Sequence, residues 1–108
     1  MAQKFIKSDF ECENTSMCFI HDCPIRRAIK RLFNVHDAKV YTSTVEIQYE
    51  DSAVVKHWIK TIRLNGKTIS NRHFGYTEFM QIYNAFMTDE NTVATFSISK
   101  RNPDEIHI

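Results

Sequence analysis

The chain has 108 residues, 43% of them hydrophobic and 25% charged, which suits one domain large enough to bury its own core. Fourteen basic residues against thirteen acidic ones leave a formal charge of +1, which argues against a coat protein that works by mass neutralisation of phosphates but leaves room for local clusters. No run reaches the roughly 20 apolar residues of a membrane span, Met1 to Lys4 leads into no signal-like apolar core, and three cysteines are an odd number that reads as reduced thiols, so a cytoplasmic protein is expected.

Phe5 and Ile6 give Lys4 to Phe10 the apolar content of a first strand. Glu11 to Asp22 reads as a polar connection carrying Cys12 and Cys18. Pro24 then opens a helix, because Ile25, Ala28, Ile29, Leu32 and Phe33 repeat at helical spacing and proline suits the first turn. Lys39 to Tyr49 is β-branched and aromatic, and it reads as one half-buried strand closed by a turn at Glu50-Asp51-Ser52. Val54 to Leu64 fits either a helix face or a strand. Its composition and the preceding turn favour the strand. Asn65-Gly66 marks a tight hairpin tip. A second helix starts at Thr77 with Phe79, Ile82, Tyr83 and Phe86 on its apolar side, and Thr92 to Ser99 closes the fold as a strand. Residues 100–108 read as a flexible tail. The order is β-α-β-β-α-β, so the expected fold is α+β and ferredoxin-like: an antiparallel sheet with two helices on one face.

Four groups of side chains could carry chemistry. Cys12, Cys18, His21 and Cys23 are a Cys₃His set of the kind that holds zinc. Their spacing lacks a C-x2-C knuckle, so small buried thiols are the favoured reading and no cofactor is expected. The start of the Pro24 helix could lower the pKa of Cys23 or hold an anion, although Asp22 as an ordinary cap explains the same residues. Arg26, Lys30, Arg27 and Arg31 fall four apart in pairs on the back of that helix with no acidic partner at helical spacing. Such an unpaired stripe suits phosphate, nucleic acid or an acidic protein surface. Lys56, Trp58 and Lys60 alternate on one side of the Val54–Leu64 strand, with His57 opposite, and could stack a base of RNA or single-stranded DNA. With two glycines there is no phosphate loop, and no nucleophile elbow or paired acid motif is present, so the chain reads as a binding protein rather than an enzyme.

Two stretches, Cys23-Pro24-Ile25-Arg26-Arg27-Ala28-Ile29-Lys30-Arg31 and Phe79-Met80-Gln81-Ile82-Tyr83-Asn84-Ala85-Phe86 with Val93-Ala94-Thr95-Phe96 beyond it, resemble small uncharacterised bacteriophage-encoded proteins. The chain departs from that pattern in its longer middle section, Ser52 to Phe74. The resemblance implies a phage-type origin; with the small size, the missing catalytic motifs and the basic helix face, the expected role is an accessory protein that binds and inhibits a host protein or a nucleic-acid-handling defence complex. Two alternatives stand beside it: an oligomeric protein sequestering a nucleotide-like anion near Cys23, Arg26 and Arg27, and an RNA or single-stranded DNA binding module.

Overall fold

The computed structural model describes residues 2–50 and 53–100. Its elements are β1 (Ala2–Lys4), a 3₁₀ turn (Lys7–Phe10), α1 (Thr15–His21), α2 (Pro24–Leu32), β2 (Val35–Val40), β3 (Thr44–Tyr49), β4 (Val54–Leu64), β5 (Lys67–Asn71), α3 (Tyr76–Thr88) and β6 (Ala94–Lys100). The fold is α+β with an antiparallel sheet. The strand order is β1-β6-β4-β3-β2, with β5 added to the far end of β4. Six strands in this order do not match a simple β-α-β-β-α-β arrangement. The ambiguous segment is a strand, the longest of the sheet, because it needs β3, β5 and β6 on its two edges to satisfy its backbone.

Three expected boundaries shift for physical reasons. Lys4 to Phe10 is a strand only at its start. The 3₁₀ turn, held by the Ile6 N–H donating to Asp9 Oδ2 at 2.9 Å, turns Phe5 and Phe10 onto the same side. Their rings meet at 5.1 Å, whereas an extended chain would point residues five apart to opposite faces. The polar connection contains α1, capped by Asn14, whose side chain accepts from the Met17 N–H at 3.1 Å. Lys39 to Tyr49 is broken into a hairpin. Tyr41 N–H donates to the Thr44 carbonyl at 2.8 Å, and the turn between them lets Val40 and Val45 face one core as paired residues.

One contiguous cluster forms the core. It joins Ile25, Ala28 and Ile29 of α2, Phe79, Ile82 and Phe86 of α3, Val45 and Ile47 of β3, Ile59 and Ile62 of β4, and Phe96 of β6. Leu32 and Phe33, expected on the buried face of α2, lie at the surface. On β4, Ile59 and Ile62 both point inward despite being three apart. A bulge between them resets the alternation, and the Thr61 N–H there donates to Ser97 Oγ at 3.2 Å. The Glu50-Asp51-Ser52 turn falls partly, and the 101–108 part of the expected tail wholly, outside the described residues. Lys100 is the last residue of β6.

Candidate binding surface

The basic stripe of α2 is not unpaired. Arg26 reaches Asp22 at 2.8 Å and Asp37 at 3.0 Å. Arg27 meets Asp22 at 2.8 Å and donates to the Glu11 carbonyl at 2.7 Å. Arg31 binds the buried Asp9 carboxylate at 2.9 Å and the Lys4 carbonyl at 3.0 Å. These guanidiniums tie α2 to the chain on either side of it, so they do not form a docking face. Only Lys30 of the four has no ion pair among the described residues. Asp22, four residues before Arg26, was in reach of sequence reasoning but was assigned to capping. It caps nothing in α2, whose N-cap is Cys23 with no side-chain cap bond.

The thiols are equally committed to the interior. Burial pushes Cys23 up to about 11, outweighing the N–H groups of Ile25 and Arg26 that favour its thiolate. A reactive Cys23 is therefore not supported. Burial, with a hydrogen bond to Cys12, pushes Cys18 up to about 12, although the Arg27 charge pulls the other way. Zinc needs thiolates. No group of three or more His, Cys, Asp and Glu side chains close enough to hold a metal forms among the described residues. Of the proposed Cys12, Cys18, His21 and Cys23 set, the His21 side chain lies outside the described residues. Cys12 instead donates to the Phe10 carbonyl at 3.3 Å.

The third group, Lys56, Trp58 and Lys60, stands on the open face of the sheet. Alternation along β4 sends His57 and Ile59 into the core and these three to the other side. The register then lays out that face in rows. Lys39, Glu46 and Lys56 lie opposite one another on β2, β3 and β4; Thr44, Trp58 and Ser99 form the next row on β3, β4 and β6. Beyond the bulge, Thr68, Arg63, Thr95 and Lys4 make a row across β5, β4, β6 and β1. Arg72 follows β5 with a left-handed φ of 56°, and its N–H donates to the Lys60 carbonyl at 2.6 Å. That conformation swings its guanidinium over Trp58, 5.1 Å from the ring centroid.

Six cations (Lys4, Lys39, Lys56, Lys60, Arg63 and Arg72) therefore share the open face with Trp58 and a scatter of hydroxyls; Lys56 and Lys60 flank the ring along β4 and Arg72 covers it, while Arg63 and Lys4 lie in the farther row beyond the bulge. Among the described strand residues the carboxylates on this face are Glu46 and Asp37, and Asp37 is held by Arg26 and the Ala38 N–H. Sequence reasoning found Lys56, Trp58 and Lys60. It missed Lys4, Arg72 and Glu46, which strand order brings to this face, and Arg63, which the β4 bulge turns onto it.

A shallow groove between α1 and β2 is lined by Phe19, Ile20, Cys23, Val40, Tyr41 and Phe74. Beside it Ile20 is 67% exposed and Met17 and Tyr41 are each 51% exposed. Among the described residues no helix is long and apolar enough to cross a membrane. No protein-family model, curated protein or solved structure matches the chain.

Proposed function

We propose that this chain is a binding module for single-stranded nucleic acid, taken across the open face of the sheet. One observation carries the reading: Trp58 sits mid-face with Arg72 over its ring and lysines on both sides along β4. A tryptophan face accepts any base by stacking, worth about 1–3 kcal/mol per base, while flanking cations neutralise phosphates. A small net charge is compatible with this, since the arginines of α2 are balanced internally, whereas the cations of the sheet face make no ion pair among the described residues. The role is binding and requires no catalytic step.

Trp58 is the only tryptophan in the chain, so its fluorescence reports the site directly. Short single-stranded RNA and DNA oligonucleotides at low salt should quench it. Trp58→Ala should weaken binding, read by anisotropy, by at least about fivefold. Lys56→Ala should weaken all sequences evenly and reduce the salt dependence. Unchanged fluorescence with both RNA and DNA at low salt would sink the proposal.

The exposed Met17, Ile20 and Tyr41 beside the α1–β2 groove favour a second reading, a docking site for a protein. On the resemblance to bacteriophage proteins, that partner is a host protein or defence complex. Wild-type chain should capture a specific partner from bacterial lysate, and Ile20→Glu should lose it. Capture unaffected by Ile20→Glu removes this surface from consideration.

A further inference from the structure

Next to the tryptophan row the open face is not merely cationic. A shallow depression of about 90 Å³ is lined by Asp37, Ala38, Lys39, Glu46, Gln48 and Val54. Its Glu46 row is one step along from the Thr44–Trp58–Ser99 row, two residues or about 6.7 Å along the strands. Bases of an unstacked single strand splay out at comparable intervals, so a strand with one base on Trp58 brings its neighbour to this depression. Asp37 is already engaged by Arg26 and the Ala38 N–H. Neither Glu46 nor Gln48 makes a side-chain hydrogen bond or ion pair among the described residues, although Lys39 and Lys56 flank Glu46 across the strands.

We infer that Glu46 and Gln48 read the base next to the one stacked on Trp58, and that this position selects guanine; the inference rests on the nucleic-acid reading above. An ionised carboxylate only accepts hydrogen bonds. Guanine is the base whose Watson–Crick edge offers two adjacent donors, N1–H and the N2 amino group, which a carboxylate accepts together. The Gln48 amide, two residues along the same strand and on the same face, can donate to guanine O6. The other bases meet Glu46 poorly. Adenine and cytosine place a ring-nitrogen acceptor beside their single amino group. Uracil flanks its one N–H with two carbonyl oxygens. Each leaves a lone pair facing the carboxylate.

The test uses five-nucleotide RNA strands of uridine carrying one central guanosine, inosine, adenosine or cytidine, compared with all-uridine by anisotropy and Trp58 quenching. The guanosine strand should bind about tenfold tighter than the others, a typical value for a bidentate base contact. Inosine, which lacks the N2 amino group, should fall between. Glu46→Gln should abolish the preference while uridine strands bind as well as before or better, since a negative charge is removed. Equal affinity for all five strands overturns the inference while leaving the sheet-face reading intact, as does a guanine preference that survives Glu46→Gln. Failure of every strand to bind overturns both.

Discussion

Arg31 and Lys30 are neighbours on α2 with opposite roles, and the difference lies in what each charge meets. Arg31 is the cationic partner of Asp9, which is 3% exposed and whose carboxylate otherwise accepts, among the described residues, only from the Ile6 N–H. Removing Arg31 leaves that buried carboxylate half satisfied, a penalty larger than the net value of the pair itself. Arg31→Ala should cost about 2 kcal/mol of unfolding free energy in a urea titration, whereas Lys30→Ala should change it by less than about 0.5 kcal/mol. Equal small losses would show that Asp9 is rescued by water. His57 is another residue decided by burial. Its ring lies in the core side of β4 with Nδ1 3.2 Å from the Val55 carbonyl, and desolvation, helped by the Lys100 charge, holds its pKa below the ordinary histidine value. Because the folded state prefers it neutral, its contribution to stability is complete above that ordinary value and is lost as the pH falls from there through the lower folded value.

At the level of elements, β2 shows how the fold handles an exposed strand. Tyr41 and Thr44 are a hydrogen-bonded pair, so the backbone groups of Ala38 and Val40 point away from β3 toward the open edge. Three features blunt that edge. A bulge interrupts the register between Val35 and Asp37. Asp37 Oδ1 occupies the Ala38 N–H at 2.8 Å. Arg26 pins the same oxygen from α2 at 3.0 Å. The Ala38 N–H, then Arg26, holds the Asp37 carboxyl below the usual carboxylate range. The latch therefore stays charged through that range and is lost only as the pH drops below it. Asp37→Ala frees the edge N–H, and the protein should then self-associate with a mass that rises with concentration in light scattering. A variant that stays at the wild-type mass would show that the bulge alone suffices.

Across the whole molecule the charge is sorted by face. The arginines of α2 fasten helices and turns together, and the cations of the sheet stand on its outer surface. The six aromatic rings of Phe5, Phe10, Phe74, Phe79, Phe86 and Phe96 fill the side between, leaving Trp58 outside it. The sequence by itself determined the elements whose signals are local. Pro24 with the Ile25, Ala28 and Ile29 repeat made α2 legible, Phe79, Ile82 and Phe86 made α3 legible, and Asn65-Gly66 gave the hairpin tip, where both residues take left-handed φ values of 50° and 84°. It also placed Lys56, Trp58 and Lys60 together, since alternation on one strand needs no tertiary information. Only the tertiary structure decided the rest. The break at Thr42-Ser43 has no glycine, asparagine or proline to announce it; its carbonyls are taken by the Phe74 and Ile59 N–H groups, from segments far along the chain. The partners of Arg31 and Arg26, Asp9 and Asp37, lie 22 and 11 residues away, beyond any helical spacing. Strand order likewise brought Lys4, Glu46 and Arg72 to the face that carries Trp58, because neighbours across a sheet are fixed by long-range pairing and not by position in the sequence.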